Sequence, residues 1–448
     1  MKSYFGTDGI RGVAGEFPLD PATVFAIGLA LGDDMRRHGR PSVVIGEDTR
    51  ESSHWIAETL AAGLRQRDIA VASAGVITTP GVAYLTRCGD FAAGIMVSAS
   101  HNPYQDNGIK VFDHSGFKLP DSDEAEVEAD LERYLPQNLP AQREPLTRRP
   151  ELRERYMDFL RQCVAGTDFS RLRVVADCAH GAASSLAGDL MRSIGLNAEL
   201  YECAPNGRNI NLNCGALHPG HMAERVRTAG ADAGVAFDGD SDRAILADAD
   251  GRIVDGDLVL LIAARALKAA GKLTPAVVVG TVMSNLGLEL ALAAEGIQLL
   301  RTPVGDKYVL EQMNAVGALL GGEQSGHIIF RADATTGDGL LTALRVFEIM
   351  ARTGHSLQQL GDGFRPFPQK IINVRVREKR PLEDLDNVQQ AIRQAEQHFG
   401  DRGRVLVRYS GTEKLARVMV EAESEGDVHQ FSGSIANALR QDIGDPVA

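Results

Sequence analysis

Four short stretches of this chain gather side chains that could do chemistry. In the first, the apolar run Gly94–Val97 gives way to Ser98-Ala-Ser100-His101, with Lys110 downstream. The run reads as a buried strand, and Asn102-Pro103 and Asn107-Gly108 read as turn signals. In α/β sheets ligands bind at the carboxyl ends of strands, so Ser100 is a candidate nucleophile, with an imidazole beside it and an ammonium downstream. The plain alternative is a solvated Ser in a turn.

The second stretch is Asp238-Gly-Asp-Ser-Asp-Arg243, directly after the apolar run Gly234–Phe237. Convergence of three carboxylates is costly unless a cation is bound. An EF-hand is excluded, because Arg243 stands where its loop needs Gly and Ala249 where it needs Glu. A Mg²⁺ site completed by phosphate or water fits Asp238, Asp240 and Asp242 better; an acidic surface loop is the alternative. Arg243 suits a phosphate or its transition state.

The third stretch, Gly322-Glu-Gln-Ser-Gly-His327, offers a carboxylate, an amide, a hydroxyl and an imidazole for sugar hydroxyls and proton transfer, although a polar turn would look the same. The fourth is Arg408-Tyr-Ser-Gly-Thr-Glu413 with Arg417. Here Ser410, Gly411 and Thr412 can present N–H groups and hydroxyls to an anion between two guanidiniums, or simply cap a turn. Together the four supply what phosphoryl transfer on a phosphosugar needs.

The elements that must position these residues alternate between strand and helix. Asp20-Pro21 opens a helix to about His38; Val43–Gly46 is a strand, Ser53–Leu64 a helix and Ile69–Ala74 a strand. After a charged helix at Ser122–Leu135, a Pro-rich stretch ends the first domain near residue 150. A second unit runs from the helix Leu152–Val164 through strands at Val174–Ala176 and Ala233–Phe237, with a helix at Met222–Ala229. A third has helices at Leu258–Ala270 and Leu286–Ala294 and strands at Val277–Val279 and Ala318–Leu320. From Phe364 onward, strands at Ile371–Val376, Arg404–Arg408 and Ala416–Glu421 are separated by helices at Leu382–His398 and Glu425–Leu439, an α+β pattern. The expected domains are 1–150, 151–252, 253–366 and 367–448. In each of the first three, an apolar strand ends in a polar loop, which suggests that comparable loops are aimed at one cleft.

The 448 residues exceed a single core. With 44% hydrophobic and 24% charged residues, the composition is that of a soluble globular protein. A net charge of −13 argues against a general nucleic-acid binder, whose affinity comes from excess Lys and Arg. Five cysteines without a Cys-x-x-Cys spacing speak against a disulfide framework or zinc site, and no apolar run approaches the ~20 residues of a membrane span. A cytoplasmic location is expected.

The motifs, in order, resemble those of the α-D-phosphohexomutase superfamily. They are Phe5-Gly-Thr-Asp-Gly-Ile-Arg11, Ser98-Ala-Ser-His-Asn-Pro103, Asp238-Gly-Asp-Ser-Asp-Arg243, Gly322-Glu-Gln-Ser-Gly-His327, Thr336-Gly-Asp-Gly339 and Arg408-Tyr-Ser-Gly-Thr-Glu413. The resemblance implies four domains around a central cleft, three related α/β domains with mixed sheets plus a C-terminal α+β domain. It implies a phosphorylated Ser100 that interconverts glucosamine 6-phosphate and glucosamine 1-phosphate through glucosamine 1,6-bisphosphate, which is both intermediate and activator. It also implies one Mg²⁺ on Ser100, Asp238, Asp240 and Asp242. Arg11, Lys110 and Arg243 would surround the transferring group, with Lys110 and His327 as acid/base candidates. Glu323, Ser325 and Lys307 would hold the sugar, and Arg408, Ser410, Gly411, Thr412 and Arg417 the idle phosphate. No nucleic-acid or membrane partner is expected, and the chain should be a monomer or homodimer.

Ser241, Lys414 and Cys214-Gly-Ala-Leu-His218 depart from the usual pattern and bear on sugar choice, since related enzymes take glucose or mannose phosphates; Gln324 favours glucosamine. The strand running into Asp238-Gly-Asp240 would also suit an aspartyl-phosphate phosphatase, which leaves Ser100 and the Arg408 segment unexplained. An inactive sugar-phosphate binder fits poorly with an intact Ser, Asp triad and Lys110.

Overall fold

The computed structural model describes residues 4–6, 8–39, 41–89, 91–137, 139–410 and 414–445. Four sheets organise them. Strands β1 (Ile10–Val13), β2 (Ser42–Glu47), β3 (Ala70–Val76), β4 (Ala93–Val97) and β5 (Asp106–Asp113) form the first, in the order β1-β5-β4-β2-β3. Strands β6 (Arg173–Asp177), β7 (Asn197–Tyr201), β8 (Ala233–Phe237), β9 (Ala244–Asp248) and β10 (Ile253–Val254) form the second, in the order β10-β9-β8-β6-β7. The third sheet holds β11 (Val277–Thr281), β12 (Gln298–Thr302), β13 (Leu320–Gly322) and β14 (Ile328–Phe330), ordered β12-β11-β13-β14.

These three sheets share one plan. In each, a first strand (β2, β6, β11) pairs in parallel with two later ones, and the second of those (β4, β8, β13) turns back into an antiparallel partner. The turns that follow β4, β8 and β13 are the Ser100, Asp238 and Glu323 loops. The weak internal echo in the sequence is thus one hairpin, placed at the same point of three mixed sheets. Each sheet carries its own apolar core, around Val43, Ile45, Ile95 and Val97 in the first, Val175, Met222 and Val226 in the second, and Val279, Val309 and Met313 in the third.

By internal contacts the chain forms two compact units, one of residues 1–283 and 297–362, the other of 284–296 and 363–448. The second unit has a three-stranded antiparallel sheet, β15 (Gln369–Arg375), β16 (Gly403–Tyr409) and β17 (Leu415–Ala422), in the order β15-β17-β16. The helices Asp386–Phe399 and Glu425–Ile443 supply its core with Val388, Ile435 and Leu439. The helix Leu286–Ala294 belongs to this unit: buried Glu421 of β17 accepts the Leu286 N–H at 2.9 Å and Arg404 Nε at 2.5 Å, and Arg404 donates to the Ser284 carbonyl.

Most expected elements form. Asp20 caps the helix Pro21–Arg37 by accepting from the N–H groups of Ala22 and Thr23. One reading is corrected: Asn107-Gly108 is no turn but lies within β5, opposite Gly12 and Arg11 of β1. The Asn107 amide donates to Ser52 Oγ and Ser53 Oγ, and a side chain on Gly108 would sit 2.6 Å from the Ser98 carbonyl oxygen. Tertiary contacts override the turn propensity and put Lys110 on a strand. The third domain's last strand pair is β13 with β14, two residues later than Ala318–Leu320. The helices Thr79–Cys88 and Gly339–Thr353 are additional.

Candidate active site

Ser100 caps β4 in a left-handed conformation, φ +52°, which a non-glycine residue holds only when its surroundings enforce it. Its N–H donates to Ser98 Oγ at 2.9 Å, and Ser98 Oγ donates to Asp48 Oδ2 at 2.7 Å. The Ser100 hydroxyl, so aimed, donates to Asp238 Oδ2 at 2.6 Å from the second domain. His101 Nδ1 lies 3.3 Å from the same hydroxyl. Burial, then Arg243 and Arg11, push the His101 pKa down to about 4, so the ring is neutral at physiological pH and shapes the loop rather than carrying charge.

Asp238, Asp240 and Asp242 converge as expected. All three are buried, and each can bring an oxygen within 4.8 Å of the others. Asp240 Oδ1 and Asp242 Oδ1 are buried without a hydrogen-bond partner. An unpaired buried carboxylate oxygen costs free energy, and two of them facing a third acid form a hard oxygen cage that fits Mg²⁺. Burial and the neighbouring Asp242 and Asp240 push the Asp238 pKa well above the usual carboxylate range. Burial would do the same to Asp242, but Lys110, His327 and Arg243 outweigh it and hold that acid well below its ordinary value.

Lys110 reaches into this cluster from β5, its Nζ 3.0 Å from Asp240 Oδ2 and 3.4 Å from Asp242 Oδ2. Burial opposes its charge, yet Asp240, Asp8 and Asp242 together raise its pKa well above normal, so it is present as ammonium. Arg11 approaches the Ala99 carbonyl at 3.4 Å, and Arg243 donates its N–H to Asp238 Oδ1 at 3.2 Å. Sequence reasoning overlooked the carboxylate that gathers Arg11 and Lys110. Asp8 pairs with Arg11, with Lys110 at 3.1 Å and with Lys118 at 2.6 Å, and Lys118 continues to Asp306 of the third domain at 2.6 Å. An acid three residues before Arg11 was the available signal.

On the third domain's side, Glu323 Oε1 accepts the Gly305 N–H at 3.0 Å, and Ser325 Oγ donates to Glu323 Oε2 at 3.3 Å. His327 is buried between Asp242 and Asp306, each 3.8 Å away, and its Nε2 accepts the Gly337 N–H at 2.9 Å. Burial disfavours its charged form, but Asp242 and Asp306 prevail and raise its pKa. Arg11, His101, Asp242, Arg243, Glu323 and His327 line one cleft of about 450 Å³. Two expected sugar contacts turn elsewhere: Lys307 pairs with Asp121, and the Gln324 amide donates to Asp255 Oδ2 at 3.2 Å.

In the C-terminal unit, Arg408 and Arg417 stand directly opposite each other on β16 and β17. Like charges so placed repel, and burial together with Arg417 lowers the Arg408 pKa; an anion would relieve both. Ser410 is buried beside them at the end of β16. Gly411 and Thr412 lie outside the described residues.

A hydroxyl held against a buried acid triad, among three related α/β domains, is what a phosphoryl-transferring enzyme needs. Models of the phosphoglucomutase/phosphomannomutase family match the chain throughout: alpha/beta/alpha domain I over residues 2–137, domain II over 154–251, domain III over 255–367 and the C-terminal domain over 371–438. A phosphoglucosamine mutase of Koribacter versatilis is 56% identical, covering 99% of this chain and 98% of that protein; one from Solibacter usitatus is 54% identical over 99% and 100%. A phosphoglucomutase/phosphomannomutase family protein of Burkholderia thailandensis has the same fold, with a TM-score of 0.80 at 23% identity, covering 99% and 98% of the two chains. The chain belongs to the phosphoglucomutase/phosphomannomutase family, in the branch of the bacterial phosphoglucosamine mutases.

Proposed function

We propose that this isomerase interconverts glucosamine 6-phosphate and glucosamine 1-phosphate, carrying a phosphoryl group on Ser100 and so feeding UDP-N-acetylglucosamine and cell-wall precursor synthesis. The observation that carries the reading is the Ser100 hydroxyl at 2.6 Å from Asp238, inside an acid triad with two buried oxygens that accept no hydrogen bond.

The synthetic sense opens with transfer to O1 of glucosamine 6-phosphate; in the reverse sense the phosphoryl group leaves Ser100 Oγ as a bond forms to O6 of glucosamine 1-phosphate, whose hydroxyl proton passes to a base. After the 1,6-bisphosphate turns over in the cleft, the phosphate on O1 returns to Ser100 and glucosamine 6-phosphate departs. Mg²⁺ held by Asp238, Asp240, Asp242 and an oxygen on Ser100 would supply positive charge beside the group in flight. Lys110, Arg11 and Arg243 add fixed cations around it, which is how such charge is stabilised in a water-poor site. Lys110, held as an ammonium, is the candidate to give a proton to the departing Ser100 oxygen, and His327 is the second proton carrier. Glu323 and Ser325 hold sugar hydroxyls, and Lys307 can join them only by leaving Asp121. Arg408, Ser410, Gly411, Thr412 and Arg417 take the phosphate that is not reacting.

The division at residues 150, 252 and 366 then gives carrier, metal, sugar and phosphate one domain each. Among the described residues no helix is long and apolar enough to cross a membrane. Our reading is of a cytoplasmic enzyme, monomeric or homodimeric, whose partner is a small phosphosugar.

A coupled assay comparing glucosamine, glucose and mannose phosphates, primed with the matching 1,6-bisphosphate, should give the highest kcat/KM with glucosamine. Ser100→Ala should lower turnover by about four orders of magnitude, since the covalent route is lost. Full activity of that variant would overturn the phosphoserine route, and a labile phosphate mapped to Asp238 in place of a stable one on the Ser100 peptide would point to phosphatase chemistry.

A further inference from the structure

Between β2 and the helix Ser53–Arg65 runs Asp48-Thr-Arg-Glu-Ser-Ser53, a stretch that reads in sequence as an ordinary strand-to-helix turn. In the fold it is the frame of the Ser100 loop. The Arg50 guanidinium is buried, paired with Asp48 at 2.9 Å, and donates to three successive parts of that loop: the carbonyls of Ser100 at 2.9 Å, Asn102 at 2.9 Å and Pro103 at 2.5 Å. Asp48 in turn accepts from Ser98 Oγ at 2.7 Å and from Ser53 Oγ at 2.6 Å.

Two of those carbonyls have a second donor, from another domain. Asn211 Nδ2 lies 2.9 Å from the Ser100 oxygen and 3.1 Å from the Asn102 oxygen. Asn211 is itself in the left-handed region, φ +59°, and its N–H is tied to the Ala179 carbonyl. The same interface is stitched by Thr49 Oγ1 to the His180 carbonyl at 2.6 Å and by the Glu51 N–H to the Gly207 carbonyl at 2.9 Å. The metal loop presses on the Ser100 carbonyl as well: a Cβ on Gly239 would sit 2.5 Å from that oxygen.

We infer that Arg50 and Asn211 are positioning residues for the phosphoryl carrier, jointly holding the Ser100 and Asn102 carbonyls so that the Ser100 hydroxyl stays at the acid triad. The inference rests on the proposed phosphoserine chemistry. Ser100 is strained, and a strained residue relaxes unless its peptide is over-determined. The fork geometry of one guanidinium satisfies several carbonyls at once, which a lysine cannot do. Neither residue lines the sugar cleft, so the clamp acts on the transfer step and leaves ground-state binding of the substrate alone.

Kinetics of Asn211→Ala and Arg50→Lys in the full chain test this. A misplacement of about 1 Å costs on the order of a hundredfold, so kcat should fall between about ten- and a hundredfold with KM for glucosamine phosphate held within about twofold. Intact-mass measurement should still find Ser100 phosphorylated after incubation with the bisphosphate. Arg50→Lys disturbs a buried charge pair; if it does not fold, Asn211→Ala alone decides. A kcat within about twofold of the parent, or a raised KM at unchanged kcat, overturns the clamp. If the parent shows no mutase turnover, the functional reading itself fails, which these variants do not mimic.

Discussion

The Ser100 loop and the Glu323 loop are equivalent turns on related sheets, yet the side chains they present are held differently. Around Ser100 every constraint is doubled: a strained backbone, a buried Asp48–Arg50 pair, donors from two domains and an acid triad that seizes the hydroxyl. The Glu323 loop has its backbone tied by the Gly256 N–H at Gln324 and the Ala244 N–H at Gly326, but Ser325 at its tip is exposed, and the Glu323 carboxylate accepts from the Gly305 N–H and Ser325 of its own domain. A phosphoryl carrier tolerates little displacement during transfer, whereas a sugar that must be bound in two orientations is better met by side chains with room to adjust. On the proposed roles, one hairpin would serve chemistry where its side chain is fixed from two domains and recognition where it is not.

That contrast can be broken most forcefully on the Ser100 side. Removing divalent cations with excess chelator should cost about three orders of magnitude in turnover, restored by Mg²⁺, and Asp240→Asn should reproduce the loss without restoration. Unaltered rates in chelator would mean that the triad works without a metal. On the Glu323 side, Glu323→Ala should raise KM for the phosphosugar about tenfold with a smaller change in kcat; a large fall in kcat at constant KM would place Glu323 in the transfer step and erase the distinction.

A last test reads stability in place of rate, at Asp338, which caps the helix Gly339–Thr353 through the Leu341 N–H and accepts from Tyr156 Oη at 2.9 Å. Burial raises its pKa to about 6. The folded state therefore binds this proton more tightly than the unfolded chain, and stability falls as pH rises from about 4 to about 6, by about 3 kcal/mol from this group. Urea midpoints of Asp338→Asn, which keeps the cap acceptor but cannot ionise, should lack that part of the slope. An unchanged slope would assign it to other acids.

The strands that feed the three loops were legible because each is a short apolar run broken by polar residues, and the triad was legible because alternating acids are unusual without a cation. The frame around Ser100 was not. Arg50 and Asn211 belong to stretches whose local pattern is only that of a turn, and their role arises from pairing far along the chain, within the first domain for Arg50 and between two domains for Asn211. Asn107-Gly108 misled for a related reason, since its turn propensity is outweighed by β1 and by Ser52 and Ser53. Gln324 shows the converse: a side chain in a recognisable motif that the fold spends on Asp255.

The helix Leu286–Ala294 groups with residues 363–448, its first N–H bonded to Glu421 and the preceding Ser284 carbonyl to Arg404. During synthesis this helix leaves the ribosome well before the sheet that completes it, and domains fold largely as they emerge. The C-terminal unit therefore cannot finish until the last strand arrives, and a fragment cut near residue 366 would separate the Leu286 amide from its acceptor. Dissecting this enzyme into expressible pieces must follow the fold's boundaries and carry residues 284–296 along with the tail.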